Sequence, residues 1–151
     1  MGAKNHMRLD FPALPENEAF ARVAISGFML PLNPTMEELA DVKTAVSEAV
    51  TNAVVHGYGG EGGEVRLLAA YSEEGVLEVK VIDRGRGIED VAQAMQPFFT
   101  TAPGDDRSGM GFTVMESFMD DVQVHSAPGQ GTVVHMSKAL SLREAALPRR
   151  A

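Results

Sequence analysis

Ser47-Glu48-Ala49-Val50-Thr51-Asn52-Ala53-Val54-Val55-His56-Gly57 sets a carboxylate, a carboxamide and an imidazole at spacings of four on an otherwise apolar, helix-compatible stretch. Residues four apart on a helix are stacked neighbours about 6 Å apart along the axis, so Glu48 and Asn52 can act on one ligand while His56 drifts toward the edge of the face. A proton acceptor beside an oxygen ligand suits a phosphate and a divalent ion. His56 reads as a C-terminal helix residue favoured by the macrodipole, because no second His or Asp stands at metal-ligand spacing.

Outward from that stretch the helix is well delimited. Thr35 is an N-cap with Glu38 three residues later, a capping box, and Leu39, Val42, Val46, Val50 and Val54 carry the apolar face to about Gly57. Upstream, Arg8 to Phe11 alternates like an edge strand. Pro15-Glu16-Asn17-Glu18 opens a first helix with Phe20, Val23, Ile25 and Phe28, which Pro31 and Pro34 end. Downstream, two strand-like runs, Glu64 to Ser72 and Val76 to Asp83, are joined by the turn Glu73-Glu74-Gly75. A Gly-punctuated segment from Arg84 to Gly111 leads to a helix near Phe112 to Phe118 and to two closing strands, Val122 to Ser126 and Gly131 to Lys138. This order predicts an α+β, two-layer sandwich: a mixed, mostly antiparallel sheet covered on one face by helices. A connection longer than about 15 residues reads as a functional lid.

Composition narrows the function. A 151-residue chain that is 44% hydrophobic fits one domain with a real core, and its net charge of −8 argues against a nucleic-acid partner. Cysteine is absent, which removes disulfides and thiolate metal sites. No apolar run approaches the ~18 residues of a membrane span. The reading is a soluble cytoplasmic protein with residues 1–6 as a tag or flexible leader, a single domain over 7–140 and a tail over 141–151. The nine methionines are expected to fill the core. Gly57-Tyr58-Gly59-Gly60-Glu61-Gly62 fits G-x-G-x-x-G but follows a helix and precedes a strand, the reverse of a dinucleotide fold.

The lid is bracketed by glycines. Asp83-Arg84-Gly85-Arg86-Gly87 puts a carboxylate at a strand end and then lets backbone approach a ligand, and Arg107-Ser108-Gly109-Met110-Gly111 runs into a helix N-terminus whose free amides suit anionic oxygens. Each piece alone is weak: Glu48 alone would pass for a solvated helix residue and Asp83 with Gly85 for an Asx turn. The ordered set is informative. Glu48 and Asn52 on a helix, then Asp83-x-Gly85-x-Gly87, then Gly109-x-Gly111, then Gly131-Thr132 opening a strand resemble the GHKL (Bergerat-fold) ATP-binding superfamily, which includes gyrase B and histidine kinases. The resemblance spans Leu9 to about Lys138. Within that group, Asn17-Glu18-Ala19-Phe20-Ala21-Arg22-Val23, Pro97-Phe98-Phe99-Thr100-Thr101 and Arg107 through Glu116 are similar to the anti-sigma F serine kinases of spore-forming bacteria.

The resemblance implies ATP/ADP and Mg²⁺ as cofactors and assigns roles. Asp83 would accept a hydrogen bond from the adenine amino group, with Thr132 in support. Asn52 would give an oxygen to Mg²⁺. Gly85 and Gly87 would turn beneath the nucleotide, and the amides around Gly109, Met110 and Gly111, with Thr100, Thr101 and Ser108 in the flanking motifs, would hold phosphates. Glu48 would be the general base for a serine hydroxyl, and Arg107 would stabilise charge on the γ-phosphate or dock the partner. Arg22 would dock partners: a sigma factor, sigma F, and a small STAS-type anti-anti-sigma substrate. A homodimer is implied, with neither nucleic acid nor membrane as a partner. Competing readings are a kinase of a stress sigma factor, a non-catalytic ATP-gated binding module, and an ATPase in which Glu48 activates water.

Overall fold

The computed structural model describes residues 2–96 and 111–140. Strand β1 (Asn5–Pro12) is followed by helix α1 (Asn17–Met29), a short 3₁₀ turn over Leu30–Leu32 and helix α2 (Met36–Asn52). The hairpin β2 (Glu64–Tyr71) and β3 (Val76–Asp83) comes next, then the single turn α3 (Val91–Ala94), helix α4 (Gly111–Phe118) and the hairpin β4 (Asp121–Ser126) and β5 (Thr132–Ala139). The five strands form one sheet in the order β1-β2-β3-β5-β4. Every neighbouring pair is antiparallel, so the sheet has no parallel component.

Helix α2 starts where its capping box requires. Thr35 Oγ1 accepts the Glu38 amide at 2.9 Å while the Glu38 carboxylate accepts the Thr35 amide at 2.9 Å. At its other end the helix does not stop at Asn52 but widens into a π-turn over Ala53–Gly57. Such wider turns gather at functional positions, and this one brings His56 and Gly57 round toward the end of β3.

Strand alternation places the core on one face. Val65, Leu67, Ala69 and Tyr71 of β2, Leu77, Val79 and Val81 of β3, and Val134 and Met136 of β5 point inward against Ile25 and Met29 of α1, Val42, Val46 and Val50 of α2, and Met115 of α4. Helices α1 and α4 flank α2, which therefore has an almost wholly buried inner face. Methionine serves the core at positions 29, 115, 119 and 136, whereas Met36 is 85% exposed at the start of α2, against the expectation for that residue.

Strand β1 begins at Asn5 rather than Arg8. The Lys4 amide donates to the Tyr71 carbonyl and Asn5 Nδ2 donates to Tyr71 Oη, so Asn5 and His6 extend the sheet. Among the described residues no helix is long and apolar enough to cross a membrane.

Candidate functional site

A cavity of about 450 Å³ opens between the end of α2, the ends of β3 and β5, and the start of α4. That volume suits a small organic ligand. Its apolar wall includes Ala49, Ala53, Val81, Val134, Ile88 and Phe112; its polar lining includes Asn52, Asp83 and Thr132, with Arg86, Glu89 and Asp90 also at the wall, and Gly57, Gly87 and Gly111 give backbone access.

Asp83 is the buried acid of the site, only 6% exposed at the last position of β3. Its Oδ1 accepts the Gly85 amide at 2.8 Å, and the carboxyl group also accepts from the Thr132 backbone. Burial raises its pKa above the ordinary value of 3.8, and these backbone donors offset part of the rise. A carboxyl group held this way presents an acceptor to the cavity in fixed orientation. Thr132 is fixed in turn by its hydroxyl, 2.8 Å from Ser126 Oγ, and the same Ser126 Oγ accepts the Ile88 amide at 2.8 Å. The strand end and the loop that follows it are thereby tied together.

The loop after β3 passes through gaps too narrow for any side chain. A Cβ on Gly85 would stand 2.0 Å from the Gly57 carbonyl oxygen, and one on Gly87, at φ +76°, would stand 2.0 Å from the Ala127 carbonyl oxygen. Arg86 between them fastens three segments. Its amide donates to Gly57 O at 2.9 Å, its Nε to His56 O at 2.8 Å, and its carbonyl accepts the Gly129 amide at 2.7 Å. The carbonyls at the negative end of α2 thus gain a cation and an amide.

At the opposite wall α4 begins against the polar pair on α2. A Cβ on Gly111 would lie 3.2 Å from both terminal atoms of the Asn52 side chain and 3.4 Å from Glu48 Oε1. Asn52 lines the cavity, whereas Glu48, one helical turn earlier, abuts Gly111 without lining it. Of the residues singled out in the sequence, Asn52, Asp83, Gly87, Gly111 and Thr132 share the cavity, and Gly85 turns beneath it. Thr100, Thr101, Arg107, Ser108, Gly109 and Met110 lie outside the described residues.

Arg22 lies apart, between α1 and α2. Its Nη1 is 3.3 Å from Ser47 Oγ and 3.8 Å from Glu18 Oε2, and Glu18 also accepts from the Ser47 and Thr51 hydroxyls. Ser47 and Thr51 are each 8% exposed, and each directly precedes a site residue, Glu48 or Asn52. Sequence reasoning did not single out this network. Its signal was two hydroxyls on an apolar helix face within the quoted stretch. His56, read as a helix end, is that and also lines the cavity. Ile88, Gln93 and Phe112 line it as well, without a sequence signal that separates them from core or loop residues.

The sequence matches the histidine kinase-like ATPase domain family over residues 11–138. The chain is 55% identical over 139 residues to the anti-sigma F factor of Pasteuria penetrans, covering 91% of this chain and 92% of that protein. It is 52% identical over 141 residues to the anti-sigma F factor of Clostridium acetobutylicum, covering 93% and 98%. Among solved structures, the RsbU and RsbW domains of a Mycobacterium tuberculosis protein superpose with a TM-score of 0.67 at 21% identity, covering 91% of this chain and 32% of that one, which shows the shared fold. The chain therefore belongs to the histidine kinase-like ATPase domain family and, within it, to the anti-sigma F factors.

Proposed function

We propose that this protein is an ATP-dependent anti-sigma serine kinase that binds a sigma factor of the sigma F type, operates in sporulation, and phosphorylates a serine of a STAS-type anti-anti-sigma antagonist. One observation carries the reading: the cavity has a buried acceptor, Asp83, on one wall and, on the opposite one, Asn52 against Gly111, with Glu48 just behind that glycine. A nucleotide needs both, a base-recognising acceptor and a polar group near its phosphates.

Asp83 accepts a hydrogen bond from the adenine amino group, a contact that rejects guanine because guanine carries a carbonyl there. Thr132 supports that acceptor, and Gly85 and Gly87 keep the backbone low beneath the ligand. Asn52, a side-chain oxygen lining the cavity, would hold a Mg²⁺, an ion that needs only one or two protein groups. When bound, Mg²⁺ neutralises charge on the phosphates. Thr100, Thr101, Ser108, Gly109, Met110 and Gly111 are assigned to the phosphates on sequence grounds.

In the transfer step the serine oxygen of the antagonist bonds to the γ-phosphorus as the bond to the bridging oxygen of ADP breaks. Glu48 receives the serine proton or aligns the hydroxyl, and Arg107 stabilises charge on the transferring group. The product serine carries about −1.5 to −2 charge, which a chain of net charge −8 repels. Release of the antagonist leaves the sigma factor bound. Arg22 is assigned to partner docking.

A homodimer is part of this reading. The exposed large side chains of α1 and of the 3₁₀ turn after it are apolar: Phe20, Val23 and Leu30 are 48%, 69% and 61% exposed, and Phe20 packs edge-on against Phe11 of the edge strand β1. A helix stripe and a free strand edge on one side suit an isologous pairing.

Radiolabelled ATP with and without a candidate antagonist tests the function. Label on a partner serine is the expected result. Free phosphate released without a partner would instead make the protein an ATPase, and ATP binding with neither product would make it an ATP-gated binding module.

A further inference from the structure

We infer that Tyr58 is a positioning residue for adenine recognition: its hydroxyl is wedged between the ends of β2 and β3 and sets the turn that aims Asp83. The inference rests on the nucleotide reading above and names a determinant of its base selectivity. Tyr58 does not line the cavity, so it acts only through the backbone it holds.

The β2–β3 ladder runs from Tyr71 opposite Leu77 to Val65 opposite Asp83. Beyond that rung, the Glu64 carbonyl and the Arg84 amide do not extend the ladder to each other. The Tyr58 hydroxyl lies between them, donating to Glu64 O at 2.7 Å and accepting from Arg84 N at 2.7 Å. A two-bond bridge through an oxygen is longer than a direct amide–carbonyl bond, so the strands are held apart there. Strand β3 is released from the sheet at Asp83, and the chain turns beneath the cavity.

The ring is itself well placed. The Tyr58 amide donates to the Ala53 carbonyl at 3.0 Å, which anchors the residue to the π-turn ending α2. Its ring occupies the space of a side chain at residue 63, where a Cβ would stand 2.4 to 2.6 Å from three ring atoms. The next links are short. Arg84 follows Asp83 directly, and the Gly85 amide donates to Asp83 Oδ1 at 2.8 Å, so a displacement of Arg84 reaches the carboxyl group through one peptide and one hydrogen bond.

Removing the hydroxyl lets Glu64 and Arg84 close toward one another or hands both to water, and the bridge that sets their spacing is lost. Either outcome tilts the Asp83 turn. In Tyr58→Phe, calorimetry in the presence of Mg²⁺ should show ATP binding weakened about 5-fold to 10-fold, the scale of one lost hydrogen bond. GTP binding should stay within about 2-fold, as expected of a contact GTP never makes. The preference for ATP therefore narrows, and turnover at saturating ATP is unchanged. A variant with a lower melting temperature but wild-type affinities for both nucleotides would reduce Tyr58 to a structural residue and overturn the inference. A wild-type protein that binds no ATP overturns the nucleotide reading and this inference with it. ATP binding weakened by Asp83→Asn but not by Tyr58→Phe overturns this inference alone. If Tyr58→Phe does not fold, hydrogen exchange of the Arg84 amide in the wild-type protein decides: slow exchange is expected, and exchange at the rate of an open amide rejects the wedge.

Discussion

Gly57 faces Asp83 so closely that a Cβ at residue 57 would stand 2.9 Å from the carboxyl carbon and from both carboxyl oxygens. The contact joins the last residue of the π-turn to the last residue of β3, the two elements that form the deep end of the cavity. Gly57→Ala is expected to displace the Asp83 carboxyl group, which is held by the Gly85 and Thr132 backbones and cannot retreat without losing bonds. Overpacking of this kind costs about 1–3 kcal/mol. ATP affinity measured by calorimetry should fall about 10-fold or more, with a lower melting temperature. Wild-type affinity in this variant would mean that Asp83 does not contact the ligand.

The raised pKa of Asp83 gives a pH signature. The native state holds the proton more tightly than the unfolded chain, so ionising Asp83 lowers stability as pH rises from 3.8 through the native value. A site that keeps a destabilising buried carboxylate uses it as an acceptor. ATP affinity should therefore decline on acidification in a window that opens above pH 3.8, earlier than for an ordinary aspartate. Asp83→Asn should lose about 1.5–3 kcal/mol of ATP binding and the part of the pH dependence that belongs to this residue. A titration of both proteins against pH separates that part from the titration of ATP itself, and parallel curves would refute the role.

Much of this arrangement is legible in the sequence because it rests on local chemistry. The capping box at Thr35 and Glu38 fixes where α2 starts, and with it the faces on which Glu48 and Asn52 stand. Strand alternation and the turn at Gly75 give the β2–β3 hairpin. What is not legible depends on pairing across long separations. Strand β5 lies beside β3, Asp83 opposite Thr132, and nothing local to either strand sets that register or makes the sheet wholly antiparallel. The same holds for Tyr58, which in sequence belongs to a glycine-rich loop and in the fold bridges residues 64 and 84. The π-turn is hidden because its residues, Ala53 to Gly57, continue the helical pattern. Arg22 is singled out in the sequence only by the resemblance, as a docking residue; its contact with Ser47 depends on α2 being packed against α1.

Glu48 and Asn52 make separable predictions although they face the same glycine. Glu48→Gln preserves shape and removes the proton acceptor, so ATP affinity should change less than about 3-fold. Phosphoryl transfer to the antagonist should fall about 10²-fold to 10⁴-fold, the range for a positioned general base. Single-turnover kinetics with radiolabelled ATP measure this directly. Transfer at the wild-type rate would remove Glu48 from the chemistry and leave it as a packing partner of α4.

Arg22 offers a test in which docking and folding can be told apart. Its side chain is 39% exposed, with Nη1 3.8 Å from Glu18 Oε2 and 3.3 Å from Ser47 Oγ, and Glu18 keeps the Ser47 and Thr51 hydroxyls as donors without it. A partly exposed i,i+4 pair contributes about 0.3–0.5 kcal/mol, so Arg22→Met should melt within a few degrees of wild type. Arg22→Glu sets two carboxylates one turn apart and should melt lower. Both variants remove the cation that an acidic partner would meet, and pull-downs should show both sigma factor and antagonist bound at least about 10-fold more weakly, while ATP binding is unchanged. Partner affinity retained by Arg22→Met and lost only by Arg22→Glu would assign the effect to repulsion and disturbed α1–α2 packing, and the docking role would pass to another surface.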